Sequence, residues 1–102
     1  MKEVTVIGVE NEELKIALSG DIDVGNVDDF YAVVSQAYAE EKKTLAFDCA
    51  QLSFIDSTTL GVFVKISKLT EADGNKVRLL GLQSRIKKLF LICALGSRME
   101  IV

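Results

Sequence analysis

The segment Phe54-Ile55-Asp56-Ser57-Thr58-Thr59-Leu60-Gly61-Val62 sets one carboxylate and three consecutive hydroxyls between apolar stretches. An apolar run, Thr44 to Cys49, reads as a strand before it, and Leu60 to Leu69 reads as a helix after it. The polar cluster therefore marks a strand-to-helix corner. The N–H groups of a helix's first turn have no intrahelical partner there, and the helix dipole favours negative charge. A hydroxyl at that place is accessible to a kinase, and the helix end would accommodate a phosphate on it. A plain structural role fits the same residues, with Asp56 or Ser57 as the helix N-cap. That role leaves the run of three hydroxyls unexplained.

Other chemistry has little to work with. The chain has no His, so acid–base work and Ser–His pairing lack their usual partner. The seven glycines are scattered and form no phosphate-cradling loop. Asp48 and Asp56 fall at different ends of a turn and each has a structural use, so they make a poor metal or phospho-acceptor pair. Cys49 and Cys93 sit in apolar surroundings without CxxC spacing and read as two small reduced core residues. No catalytic residue, metal or cofactor is expected.

Charge narrows the partners. The net charge is −3, with 12 acids and 4 bases in residues 1–56 and 3 acids and 8 bases in residues 57–102. An acidic chain of this kind is a poor nucleic-acid binder. The asymmetry suits steering of a protein partner, and it equally describes two solvated faces of opposite bias. No apolar run approaches the roughly 20 residues that span a bilayer, so no membrane insertion is expected. Met1 to Val6 reads as a charged strand and not as a signal peptide, which makes the cytoplasm the expected compartment.

The elements that must position the cluster follow from periodicity. The 102 residues suit one domain over 1–102. Val4, Val6 and Ile7 begin a strand, Asn11-Glu12 turns it, and Leu14, Ile16 and Leu18 alternate with Lys15, Ala17 and Ser19 in a second strand with one buried face. Gly20 to Asn26 is expected as a loop, with Asn26 capping a helix whose apolar positions are Phe30, Val33, Val34, Ala37 and Tyr38. Thr44 to Cys49 is expected to be covered on both faces, and Leu52 to Ile55 to be a turn. Val77 to Leu82 is a strand. Ser84 is expected to cap a third helix lined by Ile86, Leu89, Phe90 and Cys93, with Gly96 ending it in a left-handed conformation. Met99 to Val102 closes the order β-β-α-β-α-β-α-β. The later β-α-β alternation implies right-handed crossovers and parallel pairing.

With these residues in view, the chain resembles the STAS domains of the bacterial anti-sigma factor antagonist family. The matching pieces are Gly20-Asp21-Ile22-Asp23, Leu45-Ala46-Phe47-Asp48, Leu52 to Val62 around Asp56-Ser57, and Gly81-Leu82. The resemblance implies an α/β fold: a single STAS-type domain whose mixed β-sheet opens with a hairpin, continues in parallel β-α-β units and carries its helices mainly on one face. It implies that Ser57 is phosphorylated and that Asp21, Asp23, Asp56, Ser57, Thr58, Thr59 and Leu60 contact a partner. That partner would be an anti-sigma factor with serine kinase activity, bound by the unmodified form and released on phosphorylation, with a PP2C-type phosphatase resetting the cycle. The family usually has Gly where Thr59 stands, so Thr59 is expected to add bulk at the contact. Leu60, Phe63 and Val64 are candidates for an apolar patch beside Ser57. A non-switching STAS module, as in a stress-signalling scaffold or a lipid-transport subunit, is the alternative.

Overall fold

The hairpin predicted from period-two alternation forms as read. In the computed structural model, which describes residues 1–93 and 95–102, β1 (Val4–Glu10) pairs antiparallel with β2 (Glu13–Ile22). Asn11 and Glu12 make the two-residue turn, both with positive φ (54° and 65°). That geometry matches the twist of the flanking strands. Leu14, Ile16, Leu18 and Ile22 are buried on one face of β2. β2 runs on through Ile22, so Gly20 to Ile22, expected as loop, is strand.

Helix α1 (Val27–Glu40) buries Val27, Phe30, Val34 and Tyr38 at helical spacing. It crosses to β3 (Thr44–Ile55), which lies parallel to β2. β3 is twice the expected length. Leu52 to Ile55 is not a turn: Gly20 pairs with Leu52, Asp21 with Phe54 and Ile22 with Ile55, after register shifts that break strict alternation. Nor is β3 covered on both faces. Asp48, Ala50 and Gln51 are exposed, and Ala46 is buried between the register neighbours Lys15 and Arg78.

Helix α2 (Ser57–Glu71) leads to β4 (Val77–Leu80), and α3 (Ser84–Ile92) followed by a 3-10 turn at Leu95–Ser97 leads to β5 (Glu100–Ile101). The sheet order is β1-β2-β3-β4-β5, with every pairing after the hairpin parallel. Four phenylalanines show where the layers meet. The Phe63 ring of α2 lies 5.4 Å from Phe47 of β3, 5.2 Å from Phe30 of α1 and 5.3 Å from Phe90 of α3. The helices thus share the face of the sheet that carries Phe47, and the tilted and edge-on contacts suit the aromatic quadrupole. The opposite face is ionic: Arg78 reaches Glu13 at 2.9 Å and Glu100 at 3.4 Å.

The third helix departs from its local signals. Gln83 holds the N-cap position and Ser84 is already helical, with no side-chain cap bond at that end. Ile86 and Phe90 are buried, but Leu89 and Cys93 are exposed, so Cys93 is not a core residue. Gly96 lies in the 3-10 turn beyond the helix and is not among the glycines with positive φ. Tertiary packing of Leu95 and Met99, both buried, sets this segment in place of a glycine cap.

Candidate functional site at the start of helix α2

Asp56 holds the corner together. Its backbone is extended (φ −124°, ψ −174°), which turns its carboxylate back over the first turn of α2. Oδ1 accepts the Thr59 N–H at 3.1 Å, and the Asp56 N–H donates to Thr59 Oγ1 at 3.4 Å. This is a reciprocal capping box that satisfies two otherwise orphaned donors. Thr58 Oγ1 donates to Oδ1 at 2.5 Å. Oδ2 accepts the Val24 N–H at 2.9 Å, across 32 residues of sequence. The carboxyl is held down to about 2, first by the Thr58 hydroxyl, against desolvation, and then by the Val24 and Thr59 N–H groups and the Thr59 hydroxyl.

Thr59 is the second tie. It is fully buried, and its Oγ1 donates to the Ile22 carbonyl at the end of β2 at 2.5 Å. Through Thr59 and Asp56, the strand end and loop that carry Asp21 to Asn26 are bolted to α2. The loop also braces itself. The Asp23 N–H donates to Asn26 Oδ1, Asn26 Nδ2 donates to the Asp21 carbonyl, and the Gly25 N–H donates to Asp23 Oδ1, each at 2.9 Å. Asn26 therefore occupies the N-cap position of α1 without capping it, because its side chain is spent on this loop.

The structure brings all seven sequence-identified residues to one corner but divides them by exposure. Asp21, Ser57 and Thr58 are exposed, and Asp23 and Asp56 are half-buried. Thr59 and Leu60 are buried, so the expectation that they face a partner is corrected: Thr59 is turned inward to Ile22, and Leu60 packs in the core. Phe63 is likewise core and Val64 half-buried. The exposed apolar groups at this corner are instead Val24 (72%) and Phe54 (48%). Sequence reasoning missed both. Val24 stands in a polar loop without periodicity, and Phe54 lies in a segment expected to be a turn. Asp21, Asp23 and Asp56, with Asp28 and Asp29 in the first turn of α1, make this end of the domain acidic.

Of the three hydroxyls, only that of Ser57 makes no hydrogen bond among the described residues. Among the described residues no three metal-ligating side chains converge, and no helix is long and apolar enough to cross a membrane.

A five-stranded mixed sheet with three helices on one face, and an acid-capped helix start tied to the loop after the second strand, define the class. The pattern of the STAS domain family matches residues 4–101, and the chain belongs to that family. Its relatives include the anti-sigma-B factor antagonist of Listeria monocytogenes, 29% identical over 92 residues that cover 90% of this chain and 81% of that protein. The anti-sigma-B factor antagonist of Staphylococcus aureus is 26% identical over 87 residues, 85% of this chain and 81% of that one. Among solved structures, the anti-sigma factor antagonist SpoIIAA in its unphosphorylated form superposes with a TM-score of 0.73 at 26% identity, covering 87% of this chain and 82% of that chain. The phosphorylated form of the Bacillus cell fate determinant SpoIIAA gives 0.75 at 26% identity, over 97% and 90%.

Proposed function

We propose that the protein is an anti-sigma factor antagonist whose binding is switched by phosphorylation of Ser57. The unmodified form binds an anti-sigma factor that is also a serine kinase and so frees the sigma factor. Phosphorylation releases it, and a PP2C-type phosphatase restores the binding form. The observation that carries this reading is the exposed Ser57 hydroxyl at the first position of α2, which makes no hydrogen bond among the described residues, next to the Asp56 carboxylate that holds the Val24 N–H. The names of the relatives supply the class of partner.

The physics of release is electrostatic. A phosphate adds about −1.5 to −2 charges at pH 7. It would arrive where Asp21, Asp23 and Asp56 already stand, on a surface that must be desolvated against the partner. Burying such a dianion without compensation costs on the order of several kcal/mol, which is a large drop in affinity. The fold itself should tolerate the phosphate, because the free N–H groups at the start of α2 and the helix dipole face it. Thr59, the residue that would favour a non-switching module, points inward and offers a partner no bulk.

The test is a pull-down with the cognate anti-sigma kinase and ATP. Ser57→Ala should bind and fail to release, and Ser57→Asp should bind markedly less. Equal binding by wild type and Ser57→Asp would sink the proposal.

A further inference from the structure

Three hydroxyls lie side by side, and a kinase that reaches one is within a few ångströms of the others. We infer that Asp56 selects the acceptor: its carboxylate locks Thr58, its capping box turns Thr59 inward, and Ser57 is left as the one hydroxyl of the three that can be modified. This rests on the reading of Ser57 as the switched residue and adds how the protein enforces it.

Thr59 is excluded by position, being fully buried with its oxygen on the Ile22 carbonyl. Thr58 is the real competitor, because it too is exposed to solvent and lies one residue on. Its hydroxyl donates to Asp56 Oδ1 at 2.5 Å. In the transfer, the acceptor oxygen bonds to the terminal phosphorus of a nucleoside triphosphate, the bond from that phosphorus to the bridging oxygen breaks, the diphosphate leaves, and the hydroxyl proton passes to a base on the kinase. Thr58 must give up its bond to the carboxylate before its oxygen can turn toward an incoming phosphorus. The incoming phosphoryl group then meets the carboxylate as a like charge.

A carboxylate hydrogen-bonded to a hydroxyl can also act as its base and activate it. Asp56 is unsuited to that role. Its oxygens are shared among the Thr58 hydroxyl, the Thr59 N–H and the Val24 N–H. An oxygen with that many donors holds a further proton weakly. The bond therefore restrains Thr58 and does not prime it. Losing one charge-assisted hydrogen bond sets a preference for Ser57 over Thr58 of roughly tenfold or more.

Two measurements test this. In the first, the full chain is incubated with the kinase that it binds and ATP, and the phosphopeptides are mapped for wild type, Ser57→Ala and the double variant Ser57→Ala/Asp56→Ala. Wild type should carry phosphate on Ser57, with Thr58 modified at least about tenfold more slowly. Ser57→Ala should gain phosphate on Thr58 at least about tenfold more slowly than wild type gains it on Ser57, and the double variant should gain it on Thr58 at a rate close to that of Ser57 in wild type. Comparable phosphate on Thr58 and Ser57 of the wild type would overturn the selection and leave the Ser57 switch intact. No phosphate on any of the three would overturn the switch itself. The second needs no kinase and keeps the inference open to refutation if the double variant does not fold. In the wild-type protein, NMR should detect the Thr58 and Thr59 hydroxyl protons as slowly exchanging and not that of Ser57. Equally fast exchange at Thr58 and Ser57 would refute the lock.

Discussion

Thr59 gives the sharpest prediction, because surface and core roles for it lead to opposite results. Its side chain is fully buried, and its Oγ1 joins the Ile22 carbonyl at 2.5 Å to the Asp56 N–H at 3.4 Å. Thr59→Val keeps the shape and the apolar contacts but removes the hydroxyl. The Ile22 carbonyl then loses a donor inside the protein, at a cost of about 1–3 kcal/mol. Thr59→Gly removes the side chain altogether. It loses the same bond and the side-chain packing, and adds about 0.5–1 kcal/mol of backbone entropy. The hydrogen bond and the backbone entropy together should destabilise the glycine variant by roughly 1.5–4 kcal/mol, with the lost packing added to that. For a domain of this size about 1 kcal/mol moves Tm by roughly 4–8 °C, so the valine variant should melt roughly 4–24 °C lower. Urea titration followed by far-UV circular dichroism reads the free energy, and affinity for the partner is measured well below the transition. A glycine variant within about 0.5 kcal/mol of wild type but altered in affinity would refute the strut and return Thr59 to the contact surface.

Two further outcomes follow from the same structure. The Asp56 carboxyl is lowered from 3.8 to about 2 in the folded protein, so the folded state binds its proton less well than the unfolded chain does. The stabilisation is present above the unfolded value and is lost as pH falls from about 4 through 2. Urea midpoints recorded across that window should fall for wild type and fall less for Asp56→Asn, and parallel curves would count against it. The two thiols should also separate cleanly. Cys49 is buried and its thiol is pushed up to about 12 by desolvation, whereas Cys93 is exposed. A disulfide reagent such as dithionitrobenzoate at pH 8 should titrate one thiol quickly and the second only in denaturant, and two fast thiols would contradict the burial of Cys49.

The fold was legible wherever one local signal was strong. Leu14, Ile16 and Leu18 alternate cleanly because one face of β2 is buried, and Phe30, Val34 and Tyr38 recur at helical spacing because α1 lies along that face. The second half of β3 was not legible. Its buried residues Leu52 and Ile55 are three apart, since bulged pairing opposite Ser19 to Asp21 shifts the alternation. Asn26 and Ser84 carried short-range capping signals that the structure overrides, one by loop bonds and the other by placing the residue inside its helix. At the site, the corner, its acid and its hydroxyls could be read from residue type and order. Their division of labour could not, because it depends on Ile22 and Val24, more than 30 residues away, whose backbone groups carry no sequence signature. Phe54 reads as apolar in the sequence, and only the structure shows it left in solvent.

The sheet order β1-β2-β3-β4-β5 is also the order of the chain. Every strand therefore pairs only with its neighbours in sequence, and no strand waits for a distant one to be made. A chain emerging from a ribosome can close the hairpin first and then add one β-α unit at a time. Each addition covers the growing edge left by the one before. Paired residues of the parallel strands, such as Leu14 and Leu45 or Leu45 and Val77, are separated by a single helical crossover and by no further strand, which keeps contact order low for a mostly parallel sheet. The corner that carries Ser57 is completed once β3 and the first turn of α2 have formed. The Ser57 corner is thus assembled while the last strands are still being made.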